Sequence, residues 1–191
     1  MRAMRSDRVT EAELAVLAHA GDREAFGELV TRYAAQARRV ARTILDDADD
    51  ADDAAQDGFL AAWRHLGRYD PARPFGPWLL RIVANAAADR RRRRRVRQTE
   101  ELSPVAPSAD TGPAAEADRR ALRAAFAAAL RELPERQRTA IVLFDLEGYS
   151  HAEVASILGI PEGTVRSDVF HARRALREPL AAWRGWKERD T

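Results

Sequence analysis

Between Gly148 and Arg177 the chain reads GYSHAEVASILGIPEGTVRSDVFHARRALR, a stretch whose residue types and spacing suit contact with a polyanion. Arg166, Ser167, His171, Arg173 and Arg174 are donors spread over a little more than two helical turns, and a guanidinium matches both phosphate oxygens and the guanine edge. The same stretch encodes the frame that would hold them. Ser150 and Glu153 make an S-x-x-E capping box ahead of Val154, Ile157 and Leu158, so a short helix should begin there. Gly159 permits the left-handed residue that closes it, and Pro161 suits the first turn of the next helix, where its missing N–H is not needed. In that second helix Val165, Val169, Ala172 and Leu176 recur as an inward stripe, which leaves the arginines mostly on other faces. Two helices about a tight turn, the second one basic, read as a helix-turn-helix, a unit that sets side chains in the major groove of DNA. An ordinary helical hairpin with a solvated arginine face is the bland alternative.

The elements that would carry such a unit are bounded by composition. With 191 residues and 46% hydrophobic content the chain can bury one or two small cores, and two compact modules are expected. Thirty-two basic residues against 30 acidic ones leave a net charge of only +2, but Lys187 is the sole lysine and the signs lie in separate blocks. No cysteine is present, which excludes disulfides, thiolate redox switching and cysteine-ligated zinc within these residues. The N-terminus lacks the apolar core of a signal peptide, and nowhere do about 18 apolar residues run together. The expectation is a cytoplasmic protein without membrane insertion.

Along the chain the periodicity is helical throughout, so the expected fold class is all-α. Thr10 and Glu13 read as a capping box for a first helix that ends at Gly21. Asp22 then caps a long helix carrying Phe26, Leu29, Val30, Tyr33, Ala37, Val40, Ala41 and Ile44 inward. After an aspartate-rich stretch a third helix aligns Ala55, Phe59, Trp63 and Leu66, and a fourth runs from about Phe75 with Leu79, Ile82, Val83 and Ala86 inward. Between them GRYDPARP, with Gly67, Pro71 and Pro74, is expected to be an exposed loop. Residues 98–117, rich in Pro, Ser, Thr, Ala and Glu, read as a flexible linker. Leu122, Phe126, Leu130 and Leu133 open the second module, and Pro134 starts a helix through Ile141 and Phe144. The expected layout is a module over residues 1–97, a linker over 98–117 and a second module over 118–191.

Several ordered motifs carry a family resemblance. The first module has Asp52-Asp53-Ala54-Ala55-Gln56-Asp57-Gly58-Phe59, then Trp63, then Phe75-Gly76-Pro77-Trp78-Leu79-Leu80-Arg81-Ile82-Val83-Ala84-Asn85 and Asp89-Arg90-Arg91. The second has Leu133-Pro134 with Arg138, then Pro161-Glu162-Gly163-Thr164-Val165-Arg166-Ser167. From residue 22 to about 178 the chain is similar to bacterial RNA polymerase sigma factors of the extracytoplasmic-function (ECF, group IV) class, the modules corresponding to sigma regions two and four.

The resemblance implies partners and roles. Asp53, Gln56 and Asp57 would dock on the clamp helices of the polymerase core, and a charged rim suits steering onto basic residues. Asp46, Asp47, Asp49 and Asp50 are read as a solvated helix start favoured by the dipole. A calcium loop is rejected there, because the glycine at loop position six and the distal glutamate are missing. The minus-10 promoter element would be taken as single-stranded DNA by the GRYDPARP loop, Arg81, Asn85 and the arginine run Arg90 to Arg95, with Arg90 and Arg91 its first members. Asn85 would read a flipped base and Tyr69 or Phe75 would wall its pocket, whereas Trp63, Trp78 and Phe75 also read as core. Region four would touch the polymerase flap and read the minus-35 duplex through Arg166 and Ser167, with His171 and Arg174 on the same helix and Arg173 on the backbone. Asp168 stands where the family commonly carries a basic residue and His171 where arginine is common, so Asp168 is expected to face phosphate and cost a contact. An anti-sigma factor is the further partner implied.

No catalytic set emerges. Gly148-Tyr149-Ser150-His151-Ala152 lacks the second glycine and the strand of a nucleophile elbow, His19, His65, His151 and His171 are scattered, and no glycine-rich phosphate loop occurs. No enzyme activity, cofactor or metal is expected. A helix-turn-helix regulator acting without polymerase, and an RNA-binding protein using the arginine run, are the competing classes.

Overall fold

The computed structural model describes residues 9–98 and 124–181; the expected linker beyond Gln98 and the tail with Trp183 and Trp186 lie outside the described residues. Helix α1 (Glu11–His19) starts on the Thr10/Glu13 capping box, and Asp22 caps α2 (Arg23–Ile44) by accepting from the Glu24 and Ala25 amides at 2.8 and 3.1 Å. Asp47 does the same for α3 (Ala48–His65), at 3.0 Å from both the Asp49 and Asp50 amides. A short 3-10 turn, Leu66–Arg68, leads to α4 (Phe75–Gln98), which carries the whole arginine run. After the undescribed stretch come α5 (124–132), α6 (Glu135–Ile141), a π-helical extension Val142–Leu146, α7 (His151–Leu158) and α8 (Glu162–Ala181). The described residues contain no strand.

Helices α1 to α4 pack as one bundle, with α3 and α4 in the most extensive contact. Gly58 makes that approach possible, because a Cβ there would lie 2.7 Å from Val83 Cγ2 and 3.0 Å from Val83 Cα. Leu29, Val40, Leu79, Leu80 and Val83 are fully buried between the helices. Trp63 packs on Phe26 with ring centroids 5.0 Å apart, while Tyr69, Phe75 and Trp78 form a second aromatic group.

The second module leans on the first rather than standing apart from it. Ala140, Leu143, Val154, Ile157, Val165 and Val169 join the same apolar cluster as Leu29 and Val83, with α7 against α4 and α6 against α2. A smaller core of Ala129, Leu133, Ile141, Ala172 and Leu176 ties α5 and α6 to α8. A polar seam borders the joint. Arg39 donates from Nε and Nη2 to Glu147 at 2.5 and 3.0 Å, Gln36 Nε2 donates to Glu147 at 2.8 Å, and the Tyr149 hydroxyl donates to Gln36 Oε1 at 3.1 Å. Arg138 Nε reaches the Thr43 carbonyl at 2.6 Å, and the Thr43 and Thr139 hydroxyls meet at 2.9 Å. Burial raises the Tyr149 phenol to about 12, and burial together with Glu11 raises Tyr33 further, so both remain protonated donors at neutral pH. Gly76 lies under both rings, where a Cβ would come within 2.6 Å of the Tyr33 hydroxyl and 2.7 Å of that of Tyr149.

Candidate nucleic-acid interface

The helix-turn-helix is built from local signals. Ser150 and Glu153 form the reciprocal capping box of α7, and Gly159 ends that helix at φ +67°. Helix α8 then buries Val165, Val169, Ala172 and Leu176 and turns Arg166, Ser167, Phe170, His171 and Arg174 outward. Among the described residues Arg166 is tethered along its own helix, donating to Glu162 at 2.6 Å with 64% of its side chain exposed. Arg173 lies at the edge of this face. Its Nε and Nη2 hold Asp145 at 3.0 and 2.6 Å, and its guanidinium sits 5.3 Å from the centre of the Phe144 ring.

Asp168 departs from expectation. It is 3% exposed and accepts from Arg136 Nε and Nη2 at 2.6 and 3.1 Å. The carboxylate therefore faces α6 and a guanidinium, not open solvent where phosphate would approach. The reason is positional: three residues after Val165 and four before Ala172, it stands on the border of the inward stripe, and burial there demands a paired charge. Arg136 was not among the residues singled out from sequence, since nothing in its immediate neighbours signals a partner 32 positions away.

In the first module Asp53, Gln56 and Asp57 are exposed on one face of α3. Arg90 of α4 reaches across to that face, its guanidinium lying 2.5 Å from Asp53, 3.4 Å from Asp57 and 3.0 Å from Asp50. Asp50 also accepts from Arg94 at 2.6 Å, so it is an ion-pair partner rather than a solvated helix start, while Asp47 is the cap, its carboxyl held below the usual range by the Asp50 amide. Arg81 donates to the Ser156 carbonyl of α7 at 3.1 Å, and Arg91 pairs with Glu135 of α6. Asn85 is exposed and lines a groove of about 490 Å³ between α3 and α4 with Asp57, Leu60, Arg64 and Arg93. Tyr69 is buried at 4% exposure, its hydroxyl donating to the Arg73 carbonyl at 2.5 Å. In this conformation its ring shapes the loop from within instead of walling an open pocket, while the rest of GRYDPARP, apart from half-buried Pro71, is exposed as expected.

An all-helical chain that joins an acidic helix and an arginine-rich helix to a helix-turn-helix with a donor-lined outer face has the form of a DNA-binding transcription protein. Sigma-70 region 2 matches residues 29–97 and Sigma-70 region 4 matches residues 123–176. The ECF RNA polymerase sigma factor SigM of Mycobacterium tuberculosis is 43% identical over 173 residues, covering 90% of this chain and 85% of that protein. RNA polymerase sigma factor CnrH of Cupriavidus metallidurans is 36% identical over 186 residues, covering 93% and 95%. The solved structure of CnrH in complex with the cytosolic domain of CnrY superposes with a TM-score of 0.66 at 33% identity, covering 91% of this chain and 98% of that one. The sigma factor RpoE of Bartonella quintana, in complex with the anti-sigma factor NepR, gives 0.65 at 28% identity, covering 83% and 98%. The chain belongs to the ECF sigma factors of the sigma-70 family, initiation factors for bacterial RNA polymerase and not enzymes. No helix of the described residues is long and apolar enough to cross a membrane.

Proposed function

We propose that the exposed α3 face with Asp53, Gln56 and Asp57 docks on the clamp helices of the polymerase core, that Asn85 in its groove reads a flipped minus-10 base, and that the outer face of α8 enters the minus-35 major groove. The observation that carries this reading is the clean division of α8, with Arg166, Ser167, His171 and Arg174 outward and the apolar stripe inward. Arg81, Arg90 and Arg91 are engaged with Ser156, the α3 acids and Glu135. Their use on single-stranded DNA therefore requires the modules to part and Arg90 to exchange carboxylate for phosphate, and core docking onto Asp53 and Asp57 would favour that exchange. Action on promoter DNA implies work in the cytoplasm. The two similar structures were each solved with a second protein bound, one of them called an anti-sigma factor, which supports an inhibitory partner of that kind here.

Transcription in vitro with purified core enzyme on a promoter library tests the whole reading: the chain should confer start sites that core alone lacks. For the docking face, Asp53→Ala with Gln56→Ala should weaken core association while shifting folding stability by only about 0.5 kcal/mol, as exposed substitutions do. Undiminished core affinity would remove α3 from the interface.

A further inference from the structure

Two bidentate ion pairs hold α8 to α6 and its π-helical extension, one at each edge of the recognition helix, and they have opposite polarity. At one edge α8 supplies the cation, Arg173, to Asp145; at the other it supplies the anion, Asp168, to Arg136. The two sides of the second pair differ sharply in exposure, the Asp168 side chain being 4% exposed and that of Arg136 58%. Asp168 is therefore an anchor within the protein: on the wheel of α8 it stands between the inward stripe and the outward Ser167 and His171, and the guanidinium it fixes is exposed. The carboxylate engages Nε and Nη2. A guanidinium has five N–H donors, so those on Nη1 remain for a second acceptor.

Resting on the reading that α8 faces duplex DNA, we propose that Arg136 is a phosphate-binding residue of the upstream promoter contact, and that Asp168 is the residue that positions it. The acid on the recognition helix thus does not delete a backbone contact but relocates the cation to α6. In helix-turn-helix proteins the first helix of the motif, here α7, crosses the DNA backbone; Arg136 comes from α6 instead, brought by Asp168 to the edge of α8, and a phosphate contact there would fix register without reading sequence. The preformed pair suits that task because its geometry is set before DNA arrives, whereas a lone surface arginine must lose side-chain freedom on binding.

The test uses the full-length chain titrated onto a labelled random-sequence duplex at several salt concentrations. The informative variant is Arg136→Gln with Asp168→Asn, which keeps a hydrogen-bonded pair of similar shape, leaves no buried carboxylate unpaired, and does not change net charge. It should bind more weakly, and its logarithmic salt slope should be shallower by about 0.9. Equivalently, its deficit against the wild type should narrow about threefold as salt rises from about 50 to about 200 mM. Asp168→Asn alone keeps the cation and an amide acceptor for it, so it should retain the wild-type slope, while the looser guanidinium, which must be ordered on binding, should cost affinity a few-fold at high salt. A wild-type slope in the double variant, or an equal loss of slope in Asp168→Asn alone, would overturn the proposal and reduce the pair to scaffolding. Arg166→Ala on the same duplexes separates the two levels. If it weakens binding while the double variant does not, only Arg136 is misassigned; if neither has any effect, α8 does not face DNA and the functional reading falls as well.

Discussion

Helices α4 and α8 are the two helices proposed to meet DNA, and they hold their arginines differently. On α4, Arg81, Arg90, Arg91 and Arg94 each have a partner on another helix. On α8, Arg166 pairs among the described residues with Glu162 of its own helix, and Ser167, His171 and Arg174 are exposed. The difference follows from where the acids lie. Helix α3 presents Asp50, Asp53 and Asp57 to α4 across the most extensive helix contact among the described residues, while Asp145 and Asp168 lie at the edges of α8. The α8 face proposed to read duplex is thus open in the free protein, while the α4 arginines proposed for single strands are covered. The covering pairs are partly solvated, and such pairs are individually worth about 0–1 kcal/mol, so a docking partner can displace them.

The largest effect that would break this contrast is expected at the edge of α8. If Asp168 faced solvent, Asp168→Arg would be harmless to the fold and would add a phosphate ligand. Buried against Arg136, it places like charges together and removes the partner of a half-buried pair. We expect a loss of about 2–4 kcal/mol, near the range for breaking buried pairs, read as a clear fall in melting temperature. An unchanged melt would mean that the carboxylate is not held inward, and α8 would then carry its charges as α4 does not.

A smaller effect separates the packing of the two regions. Gly58→Ala sets a Cβ 2.7 Å from Val83 Cγ2 and 3.0 Å from backbone, an overpacking that costs about 1–3 kcal/mol against a helix-propensity gain of about 1 kcal/mol. A net destabilisation of about 1 kcal/mol is expected by thermal or urea unfolding. Gly163→Ala, in the first turn of α8 with nothing within 4 Å of the added carbon, should be neutral or slightly stabilising. Equal responses would show that the α3–α4 contact is not the close one.

What could be read from the sequence was what neighbouring residues encode. Thr10 with Glu13, Ser150 with Glu153, Gly159, and the start of α4 at Phe75 all stand as expected, because caps and breakers act within one turn. The seam between the modules was illegible, since Gln36 and Arg39 meet Glu147 across 111 and 108 positions and no local pattern selects among so many acids. Tyr69 and Asp168 point inward where the pattern suggests outward: a polar atom on a mostly apolar surface can go inward when an acceptor or cation completes it, and the Arg73 carbonyl and Arg136 do so here. The candidate readers could be chosen by type and spacing, but whether they are open or occupied depended on tertiary partners.

The smallest expected effect is a pH response confined to the second module. His151, the first residue of α7, stacks on Phe144 with ring centroids 4.1 Å apart. Burial is the main cause that holds its pKa below 6.5, helped by Arg166 and Arg173 and opposed by Glu162 and Asp145. A depressed folded pKa means that the unfolded chain takes the proton first as pH falls. The stabilising share of neutral His151 is therefore complete above about pH 6.5 and is lost as pH drops through that value toward the lower folded pKa. Replacing the imidazole by an amide should remove this share, so the melting temperature of His151→Gln should fall less than that of the wild type between pH 7.5 and 5.5. The other histidines and all carboxylates are common to both proteins, and the difference between the two curves isolates this one ring. Parallel curves would mean that the ring is solvated and that α7 is not seated on Phe144. A steeper fall in the variant would mean that the imidazole is stabilised when charged, with Asp145 and Glu162 outweighing burial and the arginines at this end of the recognition unit.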